Sequence, residues 1–272
     1  MKKIIFLMFV LVLLVGCKSG EKTESTPNRG IDISTNPSVI DIYPASDKNY
    51  DVEFKIILKN NMPIATQGMI ELWDNENAER YEGFSLEGIS YENNKLIEPK
   101  DISVLFNENY KNPEKLQVTA DVYYGVEFEQ DYTAKITKGV YNINLAPRNN
   151  FAARYPVTII SVIAEYTDAG IIALKIDIAN KGGGKLINSL EEKNEVYYVS
   201  DLNVKIGNEN TICKSMVDLE EKGFTGAPCK IPYKFEGDYV TVPLTITFNY
   251  FYKTTSRFPI NLKTENSKQF NV

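Results

Sequence analysis

The side chains best equipped for chemistry in this chain are three cysteines, Cys17, Cys213 and Cys229. A thiolate is both a nucleophile and a metal ligand, so spacing decides what each cysteine can do. Cys17 stands alone where a short apolar run stops, in "LLVGCKS". Cys213 and Cys229 flank "KSMVDLEEKGFTGAP" and lack the close spacing of a C-x-x-C redox or metal pair. The chain contains no histidine. That excludes Ser-His-Asp and Cys-His nucleophilic mechanisms, His-zinc sites and His-ligated haem. Carboxylate, lysine and tyrosine chemistry stays open, with no pattern that points to it.

Four short stretches imitate sites. "GGGK" (Gly182–Lys185) has the glycines of a phosphate loop, but Leu186 stands where Ser or Thr is needed and strand patterns flank it. A hairpin turn that uses glycine's freedom at positive φ is the better reading. "GFSLEG" (Gly83–Gly88) is one residue too long for a nucleophile elbow, and Ser85 has no histidine to activate it. "SDKNYD" offers Asp47, Asn49 and Asp51 in calcium-loop alternation, yet Val52 replaces the turn glycine and Leu58 the bidentate Glu. "WDNENAER" (Trp73–Arg80) is a similar polar loop. No catalytic, cofactor-binding or metal-ligating set emerges, and no cofactor is expected.

The elements that carry the cysteines say more. Lys2 and Lys3 precede twelve uninterrupted apolar residues, Ile4–Val15. This fits the apolar region of a secretory signal and falls short of the roughly 18 residues of a spanning helix. The end of the run, Leu14-Val15-Gly16-Cys17, resembles a lipobox, the cleavage motif of prokaryotic lipoproteins. The resemblance implies removal of residues 1–16 and a diacylglycerol thioether on Cys17, which becomes the first residue. Two acyl chains supply the two anchoring signals that one chain lacks, at about 0.8 kcal/mol per buried methylene. Residues 17–30 then form a lipidated cysteine and polar tether, "KSGEKTESTPNRG", with a reach of about 20 Å. The resulting protein is anchored by lipid and faces the periplasm or the extracellular space. Loss of Lys2 and Lys3 takes the net charge from −6 to −8. An acidic body has no electrostatic footprint for nucleic acid.

Beyond the tether, apolar residues recur with period two. Asp51–Asn60 alternates, as does Leu116–Phe128, where Leu116, Val118, Ala120, Val122 and Tyr124 share a face. In Tyr239–Lys253 the residues Val240, Val242, Leu244, Ile246, Phe248, Tyr250 and Tyr252 do the same. Pro243 removes a ladder donor there, which predicts an edge strand or a bulge. Only Ser215–Gly223 suggests a short helix, closed by Gly223.

The pattern also repeats. Val52–Asn61 matches Ile172–Lys181 at an offset of 120, pairing Lys55 with Lys175, Ile56 with Ile176 and Asn60 with Asn180. Gln117–Tyr124 matches Thr241–Phe248 at an offset nearer 124. Prolines and a polar pair in "LAPRNNFAARYP" mark a division between residues 31–147 and 154–265. Each half carries about seven short strands, so the fold class is all-β, two tandem immunoglobulin-like antiparallel β-sandwiches. "DIANKGGGKLI", a strand ending in Asn followed by glycines and a new strand, resembles the cell-adhesion-related (CARDB-type) modules of prokaryotic envelopes. That resemblance implies scaffolding or adhesion and carries no catalytic residues.

Export to an oxidising compartment makes a Cys213–Cys229 disulfide the expected state, with free thiols as the alternative. Closing a loop of about fifteen residues would stabilise the fold by roughly 3 kcal/mol. About half of the 17 tyrosines should be core residues by alternation. Trp73, Tyr123 and Tyr197 are candidates for aromatic recognition of a sugar ring or a protein partner, against ordinary strand preference for aromatics. The function expected is a non-catalytic binding or structural module whose partners are membrane lipid, through Cys17, and an envelope protein or glycan. The alternatives are an accessory subunit of an appendage or export complex, docked through a strand edge, and a glycoside hydrolase with two acids in one cleft.

Overall fold

Half-buried strands need apolar residues on one face only, and period-two alternation accordingly runs through nearly all of the computed structural model, which describes residues 29–44, 49–75, 79–92, 95–111, 113–219 and 225–263. The leader, Cys17 and the tether to Asn28 lie outside the described residues, as do parts of the two calcium-like loops. The first half contains β1 (Ile31–Asn36), β2 (Ile40–Ile42), β3 (Asn49–Asn60), β4 (Thr66–Asp74) and β5 (Glu79–Leu86). There follow β6 (Ser90–Glu92), β7 (Lys95–Ile97), β8 (Ile102–Lys111), β9 (Leu116–Thr137) and β10 (Asn144–Pro147). A 3-10 turn at Phe151–Arg154 leads to β11 (Val157–Thr167), β12 (Ile171–Asn180) and β13 (Lys185–Ile187). The chain ends in β14 (Tyr198–Ile206), β15 (Glu209–Asp218), β16 (Thr225–Pro232) and β17 (Tyr239–Leu262). Among the described residues no helix is long and apolar enough to cross a membrane.

The strands form an all-β structure of antiparallel sheets packed against one another. A nine-stranded sheet runs β15-β14-β17-β9-β4-β5, with β10, β13 and β2 attached. Two three-stranded sheets, β1-β3-β8 and β11-β12-β16, contribute to the same apolar core. The centre of the large sheet is the β9–β17 pair, 22 consecutive residue pairs from Leu116–Ile260 to Thr137–Tyr239. Because β9 belongs to the first half and β17 to the second, one sheet passes unbroken through both.

The internal repeat is visible in equivalent hydrogen bonds. The Ile31 amide donates to the Tyr124 hydroxyl at 3.4 Å, and the Val157 amide to the Tyr250 hydroxyl at 3.3 Å. Asn60 accepts from the Met62 amide and donates to the Ile64 carbonyl; Asn180 accepts from the Gly182 amide and donates to the Gly184 carbonyl. Each asparagine thereby closes the turn after its strand, an Asx arrangement. The spacing from Ile31 to Val157 equals that from Tyr124 to Tyr250, 126 residues. This replaces the offset of 124 read for the late strands. A shift of two residues leaves inward and outward faces unchanged, so alternation could not separate the two registers. With 126, Gly125 and Phe251 are both equivalent and paired with each other, which places the pseudo-two-fold axis at that pair.

Three local expectations change. Of the helix expected over Ser215–Gly223, Ser215–Asp218 belongs to strand β15, and the part from residue 220 on lies outside the described residues. Pro243 lies in a central strand: β17 is paired with β9 on one side and β14 on the other. The Pro243 carbonyl accepts from Gly207 at 3.0 Å, so its nitrogen faces the point where β14 has just ended, and the missing donor costs no ladder bond. The glycines of "GGGK" join β12 to β13, which lie in different sheets, so the turn is a crossing and not a hairpin. None of the three has positive φ. Gly184 is required by close approach instead, since a Cβ there would sit 2.0 Å from the Lys253 carbonyl oxygen.

Cys213 on β15 and Cys229 on β16 form a disulfide, with their Cα atoms 4.9 Å apart. It clamps an edge of the large sheet to an edge of a small one. The first half uses a hydrogen bond for the same pair of edges, from Arg80 on β5 to the Leu105 carbonyl on β8 at 2.8 Å. The equivalent tyrosines provide a test of the repeat. Tyr124→Phe and Tyr250→Phe should each leave a buried strand amide unpaired and cost about 1–3 kcal/mol in urea unfolding. A negligible change in either variant would contradict the equivalence.

Candidate binding surface

Even-numbered residues of β9 and β17 face the core, so the odd-numbered ones form the outer face of the large sheet. Asp121 stands there between Thr255 on β17 and Glu71 on β4. It is only 5% exposed, and its carboxylate accepts from the Thr255 hydroxyl (2.5 Å), the Trp73 indole N–H (3.3 Å) and the Lys253 ammonium (2.8 Å). Beside it, Lys193 reaches over the sheet from the loop between β13 and β14. Its Nζ lies 3.3 Å from Glu71 Oε2, 4.6 Å from the centre of the Tyr123 ring and 5.1 Å from that of Tyr81. Lys193 has φ 57°, and the loop is braced by its amide donating to the Ser189 carbonyl and by the Asn194 amide donating to Asn188 Oδ1.

Burial alone would raise the Glu71 carboxyl, but hydrogen bonds from Tyr123, Tyr81 and Lys193 outweigh it and hold the group below the usual carboxylate range. Burial, followed by the Glu71 hydrogen bond and nearby carboxylates, pushes the Tyr123 phenol far up. Lys253 sits 5.1 Å from the Tyr123 ring centre as well, so this ring holds two cations. The arrangement is internally satisfied: each cation has a carboxylate and a shared ring, and the loop is strapped to the sheet.

The three aromatic candidates are therefore differently placed. Tyr123 is 4% exposed and occupied by the two lysines, whereas Trp73 is 40% and Tyr197 53% exposed. Trp73 and Tyr123 share the outer face through Asp121 and Lys253. Tyr197 donates to Glu195, which pairs with Lys185, the strand partner of Lys253. Among the described residues no cluster of three or more acids or cysteines could hold a metal ion.

One concave feature of this face lies next to the strap, at the seam of the two halves. A cleft of about 680 Å³ is lined by Glu127, Glu129 and Asp131 of β9 together with Phe151, Tyr155 and Phe251. The volume matches small-ligand sites, about 300–1,000 Å³. No lysine or arginine lines it. Partial burial, and then repulsion from Asp131 and Glu127, raises the Glu129 carboxyl. Asp131 is tied on one side by the Thr245 hydroxyl at 2.6 Å. Leu190, from the loop strapped by Lys193, forms part of the wall. Alternation puts Glu127, Glu129 and Asp131 on one face in "VEFEQD", where nothing in the sequence distinguishes them from ordinary solvated strand residues. Lys193 and Leu190 belong to a loop without periodicity, which gave no signal.

The class defined by this fold is an all-β protein of packed antiparallel sheets with a recessed acidic and aromatic site on its largest sheet. Neither comparison with protein-family models nor comparison with curated proteins finds a match for the chain.

The strap yields a pH prediction. Glu71 has a lowered folded pKa, so its stabilising contribution is complete above the ordinary Glu range and is lost as pH falls through that lowered value. Lys193→Met should cost about 1–3 kcal/mol at pH 7 by leaving a buried carboxylate without its cation. The difference from the parent should shrink at pH 3. Urea midpoints that differ equally at both pH values would contradict this.

Proposed function

We propose that the protein is a lipid-anchored envelope lipoprotein acting as a non-catalytic binding module. The lipobox-like Leu14-Val15-Gly16-Cys17 supports the anchor and the disulfide fits an oxidising compartment. The two halves are read as immunoglobulin-like modules of CARDB type, fused through a common sheet. One observation carries the binding role: the recessed cleft at the seam, with acids and aromatic rings directed into it and no cation of its own. The partner is an envelope protein, which also accommodates the role of accessory subunit in an appendage or export complex; an envelope glycan is the other candidate.

A second reading, a carboxylate-based glycoside hydrolase, is favoured by the same three acids and the raised Glu129 carboxyl. Such enzymes place two carboxyl groups on either side of the scissile bond. Here the acids follow one another along a single strand face, which suits attraction of positive charge better than attack from two sides.

The test is lipid labelling and cross-linking on intact cells. Cys17→Ser should remain an unlipidated precursor, and the parent should cross-link through the seam to one dominant protein neighbour. Normal labelling of the variant would overturn the anchor. Retention on purified envelope glycan with no protein neighbour would replace the partner class. Glycan cleavage abolished by Glu129→Gln would establish the hydrolase.

A further inference from the structure

The floor of the seam cleft is a strand edge that no strand covers. The β4 ladder on β9 stops at the Gly68–Tyr124 pair, and the β10 ladder on the same edge begins at Pro147–Tyr132. Between them β9 is paired only with β17, on its other side. The Gly125 carbonyl accepts from the Thr66 hydroxyl at 2.7 Å and the Asp131 carbonyl from the Arg148 amide at 3.0 Å, both from the open side. Peptide groups of alternate residues in a strand point the same way, so those of Glu127 and Glu129 also point into the cleft. The Tyr155 hydroxyl takes the Glu129 amide. The Glu127 amide and carbonyl and the Glu129 carbonyl have no partner among the described residues.

We propose that this edge receives an extended, lysine- or arginine-bearing peptide segment of a partner protein, which adds as a short strand between the ends of β4 and β10. This rests on the binding-module reading above and names the partner of that same site. Strand addition draws its affinity from main-chain hydrogen bonds and its selectivity from alternate side chains. The vacant edge positions supply the first. For the second, an added strand places every other side chain on the face that carries Glu127, Glu129 and Asp131, where a cation relieves the repulsion among them. The Phe151 and Phe251 rings bound the same space and suit the stems of long cationic side chains. No lining residue is basic, so an acidic segment meets only repulsion.

The probe is a dye-labelled peptide, acetyl-Lys-Val-Lys-Val-Lys-amide, titrated with the full chain in detergent micelles and read by fluorescence anisotropy. It should bind, and Glu127→Gln combined with Glu129→Gln should weaken binding by about tenfold or more. Neutralising two mutually repelling carboxylates removes no stabilising contact, so the variant should keep or raise its unfolding midpoint, which is measured alongside. Methylation of alternate peptide nitrogens should weaken binding to a similar degree, because it removes ladder donors and leaves the charges. Absence of binding, or equal binding by the methylated peptide or by one with Glu for Lys, would overturn the proposal. Saturable binding of an uncharged envelope oligosaccharide in the cleft, with no peptide binding, would overturn it while sparing the binding-module reading. Lipidation does not enter the readout, so failure here is distinct from failure of the anchor.

Discussion

The structure depends on one long antiparallel pairing. β9 and β17 run side by side for 22 residue pairs; β9 carries β4 and β10 on its other edge, and β17 carries β14, β13 and, in a parallel pairing at its end, β2 of the first half. A sandwich built from six or seven strands ordinarily ends its sheets at edges that must be protected from pairing elsewhere. Here the two halves remove one such edge each by pairing with one another. Their inner faces then meet at Phe128 and Phe248, cross-strand partners stacked with ring centres 4.3 Å apart, with Tyr155 packed on Phe128 at 4.8 Å. The hydrophobic cores of the halves are one core, and the seam is among the most densely aromatic parts of the molecule.

The seam also accounts for the position of the cleft. β9 is longer than either strand that covers its outer edge, because its central part is held by β17. β4 and β10 each pair with an end of it, and what lies between them is a recess. The acids of that recess repel one another, while the neighbouring charges of the Lys193 and Lys253 cluster are neutralised within the fold. Two patches of comparable composition on one sheet thus behave differently. One consumes its charges in holding a loop down, and the other leaves them facing solvent.

Much of the fold was legible in the residues. The alternations in Asp51–Asn60, Leu116–Phe128 and Tyr239–Lys253 all became strands with the faces as read, and Asn60 and Asn180 proved equivalent down to their hydrogen bonds. What alternation cannot carry is the identity of the neighbouring strand. Period two states which side of a residue is wet, not what lies along its edge, so a central strand containing Pro243 resembled an edge strand, and two halves sharing a sheet resembled two separate sandwiches. The same blindness to shifts of two residues concealed the true register of the repeat. Tyr123 looked available because the outer face of an isolated strand is open; it is covered by Lys193, which is distant in sequence and lies in a loop with no pattern. The three acids of the cleft were visible on one face, but only the gap between β4 and β10 makes that face concave.

The measurement closest to the central claim is differential scanning calorimetry of the folded body, with hydrogen exchange followed on β9 and β17. A shared sheet and a common core predict a single transition whose calorimetric and van 't Hoff enthalpies agree, with the amides of both strands exchanging only through that global opening. Two resolved transitions, each with the exchange of one half, would show that the halves fold independently and that the β9–β17 pairing is a contact between domains instead of the centre of one sheet.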